Sequence, residues 1–250
     1  MNGNHETDEN RAGSFPATRW SLVLAAAEYD MSASRSDALS TLYSLYWYPL
    51  YAFARRQGND AEQARDATQG FFVRIMEKGY LREFRGERGR FRTFLLAALK
   101  HYLANEWDRA KTLKRGGGSI TIPIDIAFDT AEARYGSEPS DNQTPETLFE
   151  RQWALSLLQL VKSRLEEECV RTGKSVQFRQ LSPFLMGEEP RPSYREIAAS
   201  LGISEGSAQV IVHRLRRRFR DLLRDEVVQT LANPAEVDAE IRFLRGILYA

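Results

Sequence analysis

From Asp37 onward, apolar side chains recur at steps of three and four with hardly a break, and that period belongs to the α-helix. Leu39, Leu42, Tyr43, Tyr46, Leu50, Phe53 and Ala54 mark a first helix, which Gly58 and Asn59 end. Asp60 is placed to cap a second, with Glu62 and Asp66 near its positive end and Ala64, Ala67, Phe71 and Ile75 on a buried stripe that lasts until Gly79. A third is expected over residues 91–114. Phe91, Phe94, Leu95, Ala98, Leu99, Tyr102 and Leu103 face its core side, and Lys100, His101, Asn105, Asp108, Arg109 and Lys111 face outward.

The period returns at Pro145, a suitable first-turn residue, and runs through Leu148, Trp153, Leu157, Leu158, Val161 and Leu165 to Gly173. A shorter helix is expected over 178–185. The last residues carry Val237, Ile241, Leu244 and Leu248 at helical spacing, so they can pack back on either half. The expected fold class is therefore all-α, as two helical domains joined by a linker. An N-terminal tail with a short helix near Thr18 to Tyr29 occupies 1–37, and the first domain 38–118. A linker with three prolines covers 119–147, its run Ile120 to Ile126 able to lie extended. The second domain covers 148–230 and a C-terminal helical tail 231–250.

With 42% hydrophobic and 28% charged residues among 250, the chain has enough apolar matter to fold. No apolar run exceeds six residues, whereas a membrane span needs about 20. Glu6, Asp8 and Glu9 stand where a secretory signal carries positive charge, so a cytoplasmic location is expected. Cys169 is the single cysteine, and His5, His101 and His213 are scattered, so no metal ligand set and no cofactor are expected. The net charge of +1 hides strong segregation. Residues 81–118 hold ten Lys/Arg against four Asp/Glu, and 193–224 hold seven Arg against three acids. Between them, 125–168 hold ten acids against four bases. Two basic islands suit contact with a polyanion, and the acidic middle repels one.

Residues 194–213 match the requirements of a helix-turn-helix: apolar contacts between two helices, a small residue at their crossing, and a turn residue tolerant of positive φ. Ile197, Leu201, Ile203, Ala208 and Ile211 fill the contact positions, Ala198 the crossing and Gly202 the turn, while Ser204 can cap the second helix. Glu205, Gln209, Val210 and His213 are left outward, followed by Arg214. Arg214, Arg216, Arg217, Arg218 and Arg220 then continue the helix at a density that suits duplex phosphates. The plainer alternatives are an ordinary helical hairpin and a solvated basic face.

The first island differs in kind. Phe84, Phe91, Phe94, Tyr102 and Trp107 interleave with Arg82, Arg85, Arg88, Arg90, Arg92, Lys100, Arg109, Lys111, Lys114 and Arg115. Rings that stack on bases beside cations that neutralise a backbone are what a single strand requires. Phe94 and Tyr102 lie on the apolar stripe and read better as core; Trp107 and the loop residues stay open.

Three stretches, DAEQARDATQGFF at 60–72, FRTFLLAALKHYLANEWDR at 91–109 and SYREIAASLGISEGSAQVIVHRLRRR at 193–218, together resemble the extracytoplasmic-function sigma factors of bacterial RNA polymerase, in the sigma-70 family. With their spacing, the resemblance covers roughly 38–115 and 145–225. It implies that 38–118 is a region 2-like domain, 148–230 a region 4-like domain, and the partners core RNA polymerase, promoter DNA and, for many relatives, an anti-sigma factor. It implies polymerase contacts at Asp66 and Gln69. It places Lys100, His101, Asn105 and Arg109 at the minus-ten element, with Arg88, Arg90 and Trp107 of the basic-aromatic stretch close to the opened strand. Gln209, Val210, His213 and Arg214 would read the minus-thirty-five element, flanked by Glu205, Arg217 and Arg218. Gly70 departs from the family, which usually carries an acidic residue there; His101 and Asn105 stand where Asn and Asp are common, and 171–192 is longer than the usual connection.

No enzymatic constellation competes. There is no Walker-type glycine loop and no Cys/His nucleophile pair, and Asp60, Glu62 and Asp66 complement a helix dipole as well as they would a metal. Two non-enzymatic alternatives remain: an operator-binding regulator that never touches polymerase, and a protein-interaction module.

Overall fold

The computed structural model describes residues 33–77, 90–112, 128–138, 143–187, 192–231 and 233–249. The expected tail and helix before residue 33, the loop 82–89 and the extended run 120–126 lie outside these. Among the described residues the chain is α-helical, with one isolated antiparallel bridge between Arg90 and Leu231 and no strand. None of the described helices is long and apolar enough to cross a membrane.

Helix α1 spans Ala33–Arg56 and carries Pro49 in its interior. A mid-helix proline removes a hydrogen bond and costs about 3 kcal/mol. Burial offsets this, since Leu45, Tyr46, Leu50, Tyr51 and Phe53 are all inside the core. Helix α2, Ala61–Glu77, starts as expected at Asp60. Asp60 Oδ1 accepts the Gln63 amide at 2.8 Å and Gln63 Oε1 accepts the Asp60 amide at 3.1 Å, a reciprocal cap. Helix α3, Phe91–Thr112, follows.

A nine-residue helix, α4 at Phe128–Gly136, lies inside the expected linker. It docks on α1 mainly by polar means: Ala131 is buried, the Tyr51 hydroxyl and Arg55 both donate to Glu132, and Arg134 lies 3.7 Å from the Tyr48 ring centre. Helix α5, Pro145–Arg171, is capped by Thr144 and opens on Pro145. Where one helix was expected over 178–185 there are two short ones, α6 (Ser175–Leu181) and α7 (Pro183–Met186), because Pro183 cannot donate and starts a new turn. Helices α8 (Tyr194–Leu201) and α9 (Glu205–Val228) come next, then a 3₁₀ turn and α10, Val237–Tyr249.

The core crosses the expected linker. One apolar cluster joins Leu42 to Leu99 of α1–α3 with Leu148, Phe149, Trp153, Ala154 and Leu157 of α5, and with Val227, Leu231, Val237 and Leu244 from the end of the chain. The first turns of α5 are thus part of the first lobe's packing, with α1 its main neighbour. A second cluster forms where the far half of α5 meets α6 and α9, through Val161, Leu165, Phe178, Phe219 and Leu222. A third, of Leu181, Phe184, Ile197 and Val212, sits beneath α8 and α9. Buried ions join the first lobe to the chain end: Arg92, 1% exposed, reaches both Glu150 and Glu240, its guanidinium over the rings of Trp153 and Phe243.

Candidate nucleic-acid interface

Two short caps set the geometry of the α8–α9 pair. Ser193 accepts the Glu196 amide while Glu196 accepts the Ser193 amide, and Ser204 accepts the Ser207 amide at 3.1 Å. Gly202 adopts φ 65°, the left-handed conformation that turns the chain between the helices and favours glycine. Ile197, Ala198 and Ala208 are buried at the crossing, as the motif requires. Leu201, Ile203 and Ile211 are half-buried, and Val212, absent from the expected contacts, is 1% exposed.

Glu205, Gln209, His213, Arg214 and Arg217 are exposed on α9, and Val210 is 49% exposed. His213 and Arg214 stand three and four residues after Val210, and Arg217 four and three after them, a single solvent-facing stripe. Two arginines of the expected basic row have other work. Arg216 donates twice to the Phe184 carbonyl, at 3.1 and 2.9 Å, which ties α9 to α7. Arg218 forms a forked pair with Glu168 of α5, at 2.8 and 2.5 Å, and this holds the Glu168 carboxyl below its usual range. The signal for Arg216 was in the sequence: it stands four after the buried Val212 and three before the buried Phe219, at the edge of the packed face, where its exposed side chain can still reach α7.

The first island is split by its own fold. Lys100, His101 and Asn105 are exposed along α3, and Trp107 is 68% exposed. Lys100 pairs with Glu146 of α5 at 2.6 Å, and its ammonium lies 5.7 Å from the Phe53 ring centre. His101 and Asn105 edge a shallow cleft between α2 and α3, floored by Phe71, Ile75 and Tyr102 with Arg74 at its side. Arg74, 5.8 Å from the Tyr102 ring centre, is a cation that the sequence reading did not single out. Phe94 and Tyr102 pack against the core as expected.

Arg92 does not face a strand; it is buried in the ion cluster. Arg90 is half-exposed, 2.8 Å from Glu240 and over the Phe243 ring. Arg88 lies outside the described residues, and of Arg109 only the helical backbone is described.

On α2, Asp66 is exposed and near Arg65 at 3.5 Å, and Gln69 is half-buried. Gly70 has a structural reason: a Cβ there would collide with the Tyr102 hydroxyl. An acidic side chain at this position would displace Tyr102 from the cleft floor.

No family model, curated protein or solved structure matches this chain.

Proposed function

We propose that the protein binds nucleic acid at two places, reading duplex with α9 and holding a separated strand along α3. More particularly, we propose an RNA polymerase sigma factor of extracytoplasmic-function type. It would use Asp66 and Gln69 to dock on core polymerase and so direct it to specific promoters.

The observation that carries this reading is the exposed stripe of α9. Gln209, Val210, His213, Arg214 and Arg217 stand out from a helix whose start is fixed by the Ser204 cap and the left-handed Gly202. A major groove admits such a helix, and Gln and Arg are side chains that can pair with base edges in two bonds. Support for the second place is the polar row Lys100, His101 and Asn105 beside an aromatic-floored cleft and the exposed Trp107. In the proposed mechanism α9 positions the duplex upstream, and capture of unstacked bases against α3 favours opening without nucleotide hydrolysis. The two-domain reading belongs to this proposal: for each lobe to take its own element the packing of α5 on α1 opens, since one apolar cluster runs through both.

Transcription in vitro with bacterial core polymerase and a library of promoter fragments tests it. Transcripts from a defined subset of fragments, lost when Asp66 and Gln69 are both changed to Ala, are expected. Output no different from core polymerase alone would reject it.

A further inference from the structure

The basic residues of the first lobe are met by acids from the rest of the chain. Lys100 pairs with Glu146, Arg92 with Glu150 and Glu240, and Arg90 with Glu240. Glu240 is wholly buried, and it comes from α10, beyond the last helix that the proposed function uses. Apolar contacts seat α10 around it: Val237 and Leu244 are buried, and Ile241, Ile247 and Leu248 are partly so. The spacing 237, 240, 244 puts the carboxylate in the middle of the packing stripe. Phe243 covers both guanidinium groups, 5.3 Å from Arg90 and 4.8 Å from Arg92. The backbone follows the same course, with the Phe91 amide donating to the Thr230 carbonyl at 3.4 Å.

A carboxylate facing two arginines occupies them as a phosphate would, with matching charge and forked acceptors. A phosphate can take Arg90 only after Glu240 leaves, and Arg92 only when Glu240 leaves and Glu150 shares the guanidinium. We propose that α10 is an intramolecular latch: Glu240 holds Arg90 and Arg92 in place of a nucleic-acid backbone and closes this end of α3 to single strand until the helix is displaced. The latch rests on the reading of α3 as a strand-binding helix. It explains why so strongly polar a group is placed in an apolar stripe, where packing alone calls for leucine. It also assigns a role to α10 beyond its packing on the end of α9.

The test uses the full chain, a short fluorescein-labelled single-stranded oligonucleotide read by anisotropy, and amide hydrogen exchange of 237–249. Glu240→Gln removes the charge at nearly constant shape, and Ile241→Asp loosens the same helix from its apolar side. Both variants are expected to bind the strand about five- to tenfold more tightly than the native chain, as release of a competing closed state requires. Strand binding to the native chain should also raise exchange across α10. Binding with α10 still protected, or variants that bind no tighter than the native chain, would overturn the latch. Absence of strand binding by all three proteins would instead reject the strand-binding reading, and the latch with it.

Discussion

Two arginines two residues apart show how a single turn of helix decides what a charge is for. Arg214 is exposed on the stripe with Val210 and His213, while Arg216 is spent on the Phe184 carbonyl. Arg214→Ala should weaken specific duplex binding by about 1–3 kcal/mol with melting unchanged. Arg216→Ala should lower thermal stability, by about 1–3 kcal/mol for a carbonyl left without its charged donor, and weaken duplex binding less. Titration calorimetry and thermal melts on the two variants separate the roles; a reversed pattern would contradict the assignment.

Gly70 offers a second test at the same scale. Alanine is the better helix former by about 1 kcal/mol, yet Gly70→Ala should destabilise because its methyl meets the Tyr102 hydroxyl. In a Tyr102→Phe background that hydroxyl is gone, and the same substitution should become neutral or stabilising. Denaturant unfolding of the four proteins gives the coupling directly. Equal effects in both backgrounds would remove the steric explanation.

Among the elements, those with an apolar stripe and a distinct cap were legible in sequence, and those without were not. Asp60, Pro145, Gly202 and Ser204 each announced a boundary that the backbone then took. Ser204→Ala is expected to cost about 1 kcal/mol, read by denaturant unfolding, because one donor of the first turn of α9 then loses its acceptor. No loss would show that the cap is dispensable. Helix α4 escaped notice because among its described side chains only Ala131 is fully buried, and it is held by Glu132 and Arg134, which carry no periodic signal. The break between α6 and α7 was written at Pro183, but the hydrophobic run across it read as continuous. The outward face of α9 was legible because a helix brings the same face round every three or four residues. The fate of Arg90, Arg92 and Arg218 was not, since each depends on a partner at least fifty residues away: Glu240, Glu150 and Glu168.

For the whole molecule, charge segregation has a meaning that the sequence disclosed only in part. The acidic middle was expected to repel a polyanion; in the fold four of its carboxylates grip basic side chains on other helices, Glu150 on Arg92 among them. Glu132 holds Arg55, Glu146 holds Lys100 and Glu168 holds Arg218, and each is drawn below its ordinary value of 4.5 chiefly by that hydrogen bond. A carboxylate with a depressed folded pKa contributes stability that is present above its unfolded pKa and is lost as pH falls through the folded one. Burial pushes Glu150 the other way, so it slightly favours folding as it takes up a proton. With Glu196 and Asp238 lowered too, five carboxylates against one predict that thermal stability declines as pH drops below about 4.5, and that Glu168→Gln shallows the decline. Melting curves between neutral and strongly acid pH check this; stability that rises on acidification would contradict it.

The central claim is that one chain carries two nucleic-acid surfaces which act together on a polymerase. It is tested most directly by selecting random-sequence duplexes with the protein loaded on core polymerase and sequencing those retained. The account predicts two separated sequence elements: one blurred by Gln209→Ala and Arg214→Ala, the other by His101→Ala and Asn105→Ala. A single element, selected equally well by the protein without polymerase, would contradict it.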